Sequence, residues 1–284
     1  MIAVLGGLGA AVAWACTMLT ASRASPLIGS WSTLAWVMLT GLLVVGPVAL
    51  AEGRPESLDG GALTWLAVAG IGNITGLLLV YTGLRIGKVG VVAPISSSEG
   101  AVAAVIAVAA GETLGAWTAV GLLIVAVGVI LASRPPAERE EAEAGKDDPR
   151  AVWFALGAAL AFGAGLYATG RASIELPIAW AVLPPRLLGV ALVTIPLAVA
   201  GRLRLTRAAV PYVVASGLAE VAGFVSYAIG ARHGIAVAAV LASQFAALAA
   251  IGAAVLFKER LTRAGVLGVV VIAIGVAVVT ALQA

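Results

Sequence analysis

Two carboxylates stand where carboxylates are costly. Glu99 lies in "VVAPISSSEGAVAAVIAV", residues 91–108, and Glu220 in "VVASGLAEVAGF", residues 213–224, both flanked by apolar and small residues. An acidic side chain at the centre of a membrane helix costs about 2.5–3.5 kcal/mol on an insertion scale, so such groups usually face a cavity or a partner. An apolar setting disfavours the charged form, so either glutamate can exchange a proton and act as a coupling site. Alternatively, the ionised form can hold the amino group of a substrate, because a buried charge needs a counter-charge. A third role is structural, as a protonated or hydrogen-bonded packing group. The residues alone leave all three open.

Other polar groups share the apolar segments. Asn73, Gln244 and the run Ser96, Ser97, Ser98 can bind substrate or serve as ordinary hydrogen bonds between helices. Trp14, Tyr81, Tyr167 and Tyr227 can line a pocket for an aromatic or cationic molecule, or simply pack. Pro94, five residues before Glu99, frees a backbone carbonyl and can bend its helix. Its counterpart in the second half is Leu241, so spans four and nine are expected to move asymmetrically. Arg186 follows "LPP", and the proline pair is expected to end the helix early and leave the arginine snorkelling at the interface; contact with Glu220 or a substrate carboxylate is the alternative. Cys16 and His233 are single, which excludes a disulfide framework and a His/Cys metal site within the chain; no metal or other cofactor is expected.

The elements that must position these groups are membrane helices. The 284 residues are 62% hydrophobic and only 11% charged, with mean hydropathy +1.10. Apolar stretches of about 20 residues, the length that crosses a hydrocarbon core, recur between short polar breaks. They give ten spans: 2–21, 30–51, 62–85, 88–110, 116–133, 151–172, 178–200, 208–231, 234–257 and 262–282. The first is too long for a signal peptide and lacks a basic leader, so it reads as a retained span. The net charge of +3 reflects basic loops and does not indicate nucleic-acid binding. Trp31, Trp65, Trp117, Trp153 and Trp180 fall near span ends, as an aromatic belt does.

Residues 134–150, "RPPAEREEAEAGKDDPR", hold ten of the thirty-one charged residues and separate five spans from five. Residues 1–133 and 151–284 resemble each other. Shifting residues 83–133 by 147 gives thirteen identities in fifty-one, pairing Gly83 with Gly230, Arg85 with Arg232, Gly87 with Gly234, Ser96 with Ser243, Glu112 with Glu259, Gly121 with Gly268 and Gly128 with Gly275. "ASRAS" at 21–25 meets "TGRAS" at 169–173 with a shift of 148. The 147-residue offset lays Glu220 over Asn73 and Gln244 over Ser97. An odd number of spans per copy inverts the second copy, the plan of secondary transporters that expose a midplane site alternately to each side. Gly121 with Gly128 and Gly268 with Gly275 recur at seven residues on one face of spans five and ten, where they are expected to allow close backbone approach in packing, and Glu112 and Glu259 to complement the dipoles of those helices.

With "AAGETL" at 109–114 and "LFKERL" at 256–261 each preceding the fifth span of a half, the chain resembles the EamA-type branch of the drug/metabolite transporter superfamily over essentially its whole length. The resemblance implies a central cavity lined by spans one, three, four, six, eight and nine, with spans five and ten peripheral. It also implies an arginine in span seven and both termini in the cytoplasm. The positive-inside tally opposes that orientation, with three Lys and Arg residues on the side of the termini and thirteen on the other.

The expected function is secondary active export or exchange of a small metabolite such as an amino acid, with protons as a candidate coupling ion, by a monomer in a bacterial cytoplasmic membrane. Glu99, Glu220, Asn73, Gln244, Trp14, Ser97 and Tyr167 are the candidate substrate-binding or proton-coupling residues. An efflux permease for cationic or varied drugs is the alternative. An intramembrane enzyme would need a nucleophile with a base, or a metal cluster, and the spans contain no aspartate. A channel would leave the duplication unexplained.

Overall fold

The computed structural model describes residues 1–132, 148–257 and 263–283. Most of the charged 134–150 segment and the whole of Glu259 lie outside the described residues. Within them the chain is helical: α1 (Ile2–Ile28), α2 (Ser30–Glu52), α3 (Gly60–Ile86), α4 (Val89–Ser96), α5 (Glu99–Ala109), α6 (Ala116–Ala132), α7 (Arg150–Glu175), α8 (Ile178–Gly189), α9 (Ile195–Val199), α10 (Val210–Ala231), α11 (Ile235–Ala242), α12 (Phe245–Phe257) and α13 (Arg263–Gln283). A π-helical turn, Val190–Thr194, joins α8 to α9. Nine apolar helical stretches of the described residues are long enough to cross a membrane, and Ala116–Ala132 is a shorter tenth. This is an integral membrane protein.

Helix α1 runs past its expected end at residue 21 to Ile28. Thr20 and Ser22 satisfy their hydroxyls on the carbonyls of Cys16 and Leu19, so these polar residues continue the helix instead of breaking it. At the start of α3, the Asp59 carboxylate accepts the Ala62 N–H at 2.8 Å, an N-terminal cap.

The helices pair through glycines, as expected where neighbouring lipid is as apolar as the helices and close backbone approach must drive packing. A Cβ on Gly6 of α1 would lie 2.6 Å from the Gly230 nitrogen of α10. One on Gly72 of α3 would lie 2.6 Å from the Ala161 carbonyl oxygen of α7. Between α6 and α13, a Cβ on Gly128 would meet Gly268 O at 2.9 Å, and one on Gly275 would meet Gly121 O at 2.9 Å. The sequence expectation for these four glycines is met.

Contacts recur at the sequence offset. The Cβ position of Gly230 lies 3.2 Å from Ala3 O, and that of Gly83, 147 residues earlier, lies 3.5 Å from Ala151 O, 148 residues after Ala3. Thr17 donates to Ser216 O at 3.4 Å. Gly165, 148 residues after Thr17, has its Cβ position 3.4 Å from the carbonyl of Ala69, 147 residues before Ser216. The α1–α10 pair therefore has the same register as the α7–α3 pair.

Spans four and nine are both broken in the middle. Helix α4 stops at Ser96 and α5 starts at Glu99; α11 stops at Ala242 and α12 starts at Phe245. Proline is not the common cause of the breaks, because only the first has one. Serine is common to both. Ser97 donates to Ala93 O at 2.8 Å, Ser98 to Ile95 O at 2.7 Å and Ser243 to Val240 O at 2.8 Å, back-bonding that bends helices. The two breaks also cross: a Cβ on Gly100 would lie 2.5 Å from Ala239 O and 2.7 Å from the Ser243 Cβ.

Candidate functional site

The site grows from Glu220, ten residues into α10. Its carboxylate faces Arg186 Nη2 at 3.8 Å, and its backbone carbonyl accepts from the same nitrogen at 3.3 Å. Arg186 also donates from Nη1 to Val182 O at 3.2 Å and places its guanidinium 4.2 Å from the centre of the Phe224 ring. Only 1% of the arginine is exposed. This corrects the interfacial expectation. Helix α8 continues through Pro184 and Pro185 instead of ending there, so Arg186 stays at depth. Gly41 of α2 makes room for it, since a Cβ there would lie 3.1 Å from Arg186 Cγ. A guanidinium with an aromatic face, a carboxylate and two carbonyls around it is stabilised by contacts worth about 2 kcal/mol or more for the desolvated cation–π interaction alone.

Glu99 opens the N-terminus of α5 and is 8% exposed. Its start position puts the carboxylate at the positive end of a half-helix. Glu220 is near enough to act electrostatically on both Glu99 and Tyr81. The structure thus brings together the two glutamates from separate halves of the chain. One guanidinium cannot neutralise two carboxylates, so charge balance at this cluster calls for a proton or for a cationic group from a ligand.

An aromatic wall continues from Phe224. Trp14 stacks edge-on against Phe224 at 5.0 Å and Phe245 at 5.9 Å, and lies 6.3 Å from Tyr227. Gly223 provides the slot, because its Cβ would collide with the indole nitrogen. That nitrogen is buried without a hydrogen-bond partner among the described residues, as are Arg186 Nε and Asn73 Oδ1. Tyr227, by contrast, donates to Leu166 O at 2.8 Å and serves packing.

The remaining candidates are dispersed. Tyr167 is 7% exposed and stacks on Trp65 at 5.7 Å, over which Arg171 lies at 5.8 Å, in a separate aromatic group. Ser97 sits in the span-four break and Asn73 beside the α3–α7 crossing. Gln244, in the span-nine break, lines a groove of about 390 Å³ with α1 and α13. A second groove, about 250 Å³, lies among Trp31, Ile74, Leu78 and Leu192. Neither is lined by Glu99, Glu220 or Arg186.

Two contacts escaped the sequence reading, the Phe224 ring under Arg186 and the capping of α11 by Glu112. Phe224 gave no signal among apolar neighbours, whereas the burial of Arg186 against Glu220 was one of two readings its position allowed. Glu112 does serve a helix N-terminus, but not that of its own fifth span. Its carboxylate accepts the N–H groups of Ile235 and Ala236, each at 3.1 Å, and so caps α11 from the other half of the chain. Gly234, at φ +148°, forms the turn that brings those N–H groups around. Outside the membrane, Asp148 accepts from Arg150 at 2.6 Å, and that bond holds the Asp148 carboxyl below its ordinary range.

Comparison with known proteins agrees with this architecture. One solved structure, titled "Crystal structure of protein", superposes with a TM-score of 0.77 at 19% identity, covering 99% of this chain and 97% of its own. At that identity the likeness establishes the fold across both halves. No curated protein matches. A profile of the EamA-like transporter family matches residues 1–134, so the first half of this membrane protein is an EamA domain of the drug/metabolite transporter superfamily, a family of transporters and not of enzymes.

Proposed function

We propose that the protein is a secondary active transporter that exports or exchanges a small metabolite such as an amino acid, working as a monomer in a bacterial cytoplasmic membrane. Residues 1–133 and 151–284 act as two inverted halves joined by the 134–150 segment, and alternate access arises as they exchange packings. The contacts that recur at the 147–148 offset support this division.

The observation that carries the reading is the Arg186–Glu220 pair with Glu99 in electrostatic reach, buried midway through the membrane. Two carboxylates and one guanidinium form a cluster whose charge is completed by a proton or by a substrate amino group. Arg186 is available to a substrate carboxylate at the same place. Trp14 and Phe224 offer an apolar wall for the substrate's body, Asn73 and Tyr167 are further polar groups for it, and Ser97 and Gln244 mark the breaks in spans four and nine.

The test is transport by purified protein in liposomes, using labelled amino acids with and without a pH gradient. Counterflow of at least one zwitterionic substrate, lost in Arg186→Gln, is expected. Cysteines introduced beside Glu99 and Glu220 after replacement of Cys16 should react with a water-soluble reagent. Protection of both positions under every condition would refute a water-accessible midplane site.

A further inference from the structure

Spans four and nine are repeat mates, yet their halves are not packed alike. Beyond the break in span four, α5 crosses α11 on the side of the membrane where α1 begins, with Gly100 so close to Ala239 O that a Cβ would lie 2.5 Å from it. The 147-residue offset turns that pair into α12 and α4, on the opposite side, where Ala247 stands for Gly100 and Val92 for Ala239. Among the described residues α4 and α12 are not closely packed. One crossing is therefore closed while its mate is apart.

A second contact holds the closed crossing at its outer end. Gly111, at φ +102°, turns the chain after α5 so that its own N–H reaches Val108 O and the Glu112 N–H reaches Ala107 O, a helix stop that fixes Glu112 to α5. From there the Glu112 carboxylate accepts the N–H groups of Ile235 and Ala236, which open α11 and have no partner within their own helix. Separating α5 from α11 would break these bonds together and leave both donors bare. Resting on the proposal of alternate access, we infer that Glu112 is a latch: its cap on α11 holds the side where α1 begins closed, and the cycle opens that side by releasing it while α4 closes on α12. Gly100 lets the two half-helices approach closely enough for the carboxylate to reach. Because the cap exists only in the closed packing, it biases the balance between the two.

The test reads the two packings directly, in lipid nanodiscs and without substrate. With Cys16 replaced, spin labels at the exposed Val108 and Ile229 report the closed side, and labels at the exposed Val91 and Val255 report its mate. Glu112→Ala should raise the ratio of separated to closed Val108–Ile229 distances about fivefold, the effect of one helix cap. Val91–Val255 should shorten in the same fraction of molecules. Glu112→Gln, whose amide oxygen still accepts, should shift both less. Gly100→Ala, which crowds the crossing and not its mate, should shift both in the same direction by about tenfold or more. Shifts in Gly100→Ala with none in Glu112→Ala would overturn the latch and leave alternate access standing. Parting of Val108 from Ile229 with no change at Val91–Val255 would also overturn it, because only the corner after α5 would then be fraying. Unmoved distances in both variants would overturn the latch and count against two exchanging packings as well.

Discussion

The breaks in spans four and nine have nearly the same geometry and different chemistry. In the first, the half-helix beyond the break begins with Glu99, within electrostatic reach of Glu220. In the second it begins with Phe245, preceded by Gln244, and these face Trp14 and an apolar groove. The two breaks match in backbone, while the side chains at their edges differ. Geometry follows from what the two share, serine back-bonding and the Gly100–Ser243 crossing, whereas only the span-four break carries a charged group at its edge.

The strongest way to break the comparison is at the charged side. Arg186→Met leaves Glu220 buried with no counter-charge and should cost about 3–5 kcal/mol, whereas Arg186→Met combined with Glu220→Leu should recover most of it. Thermal unfolding in detergent, compared across both variants and the parent, measures this. Equal loss in the single and double variants would show that shape at this place matters more than pairing.

At the shared feature, Gly100→Ala inserts a methyl 2.5 Å from the Ala239 carbonyl, where backbone must move. Overpacking of this kind costs about 1–3 kcal/mol. Gly115→Ala, beside an open loop whose nearest neighbour to a new Cβ is 3.7 Å away, should change stability little and serves as the control.

Next comes the link between halves. Glu112→Ala removes the cap of α11 and should lower stability by about 1 kcal/mol, and Glu112→Gln by less, because the amide oxygen still accepts an N–H. The smallest effect is expected for Pro94→Ala. If serines set the bend, the distance between spin labels at the exposed Val91 and Val105 stays within the error of the measurement, and a clear lengthening would restore proline as the cause.

Much of this was legible in the letters, and the reason is contrast. Glu99, Glu220 and the paired glycines stand out against an apolar background, and rare residues recurring at one offset reveal a duplication even where identity is low. What depends on the neighbour across a crossing was not legible. Arg186 is held at depth by a helix that tolerates two prolines and by a glycine on α2, and no spacing within its own span encodes Gly41. Glu112 was recognised as a capping residue, but which helix end it caps depends on tertiary packing that brings Gly234 opposite it. Trp14 could be named as a pocket residue, while its partners Phe224 and Phe245 were invisible among apolar positions.

The central claim is that a proton or a cationic group completes the Glu99–Arg186–Glu220 cluster during transport. Glu99→Gln keeps size and hydrogen bonding while removing the titratable charge, and it can be assayed beside Glu220→Gln in liposomes with and without a pH gradient. The account predicts that Glu99→Gln abolishes accumulation driven by the gradient while exchange of labelled for unlabelled substrate continues. Unaltered rates and unaltered pH dependence in both variants would contradict it and return the carboxylates to packing.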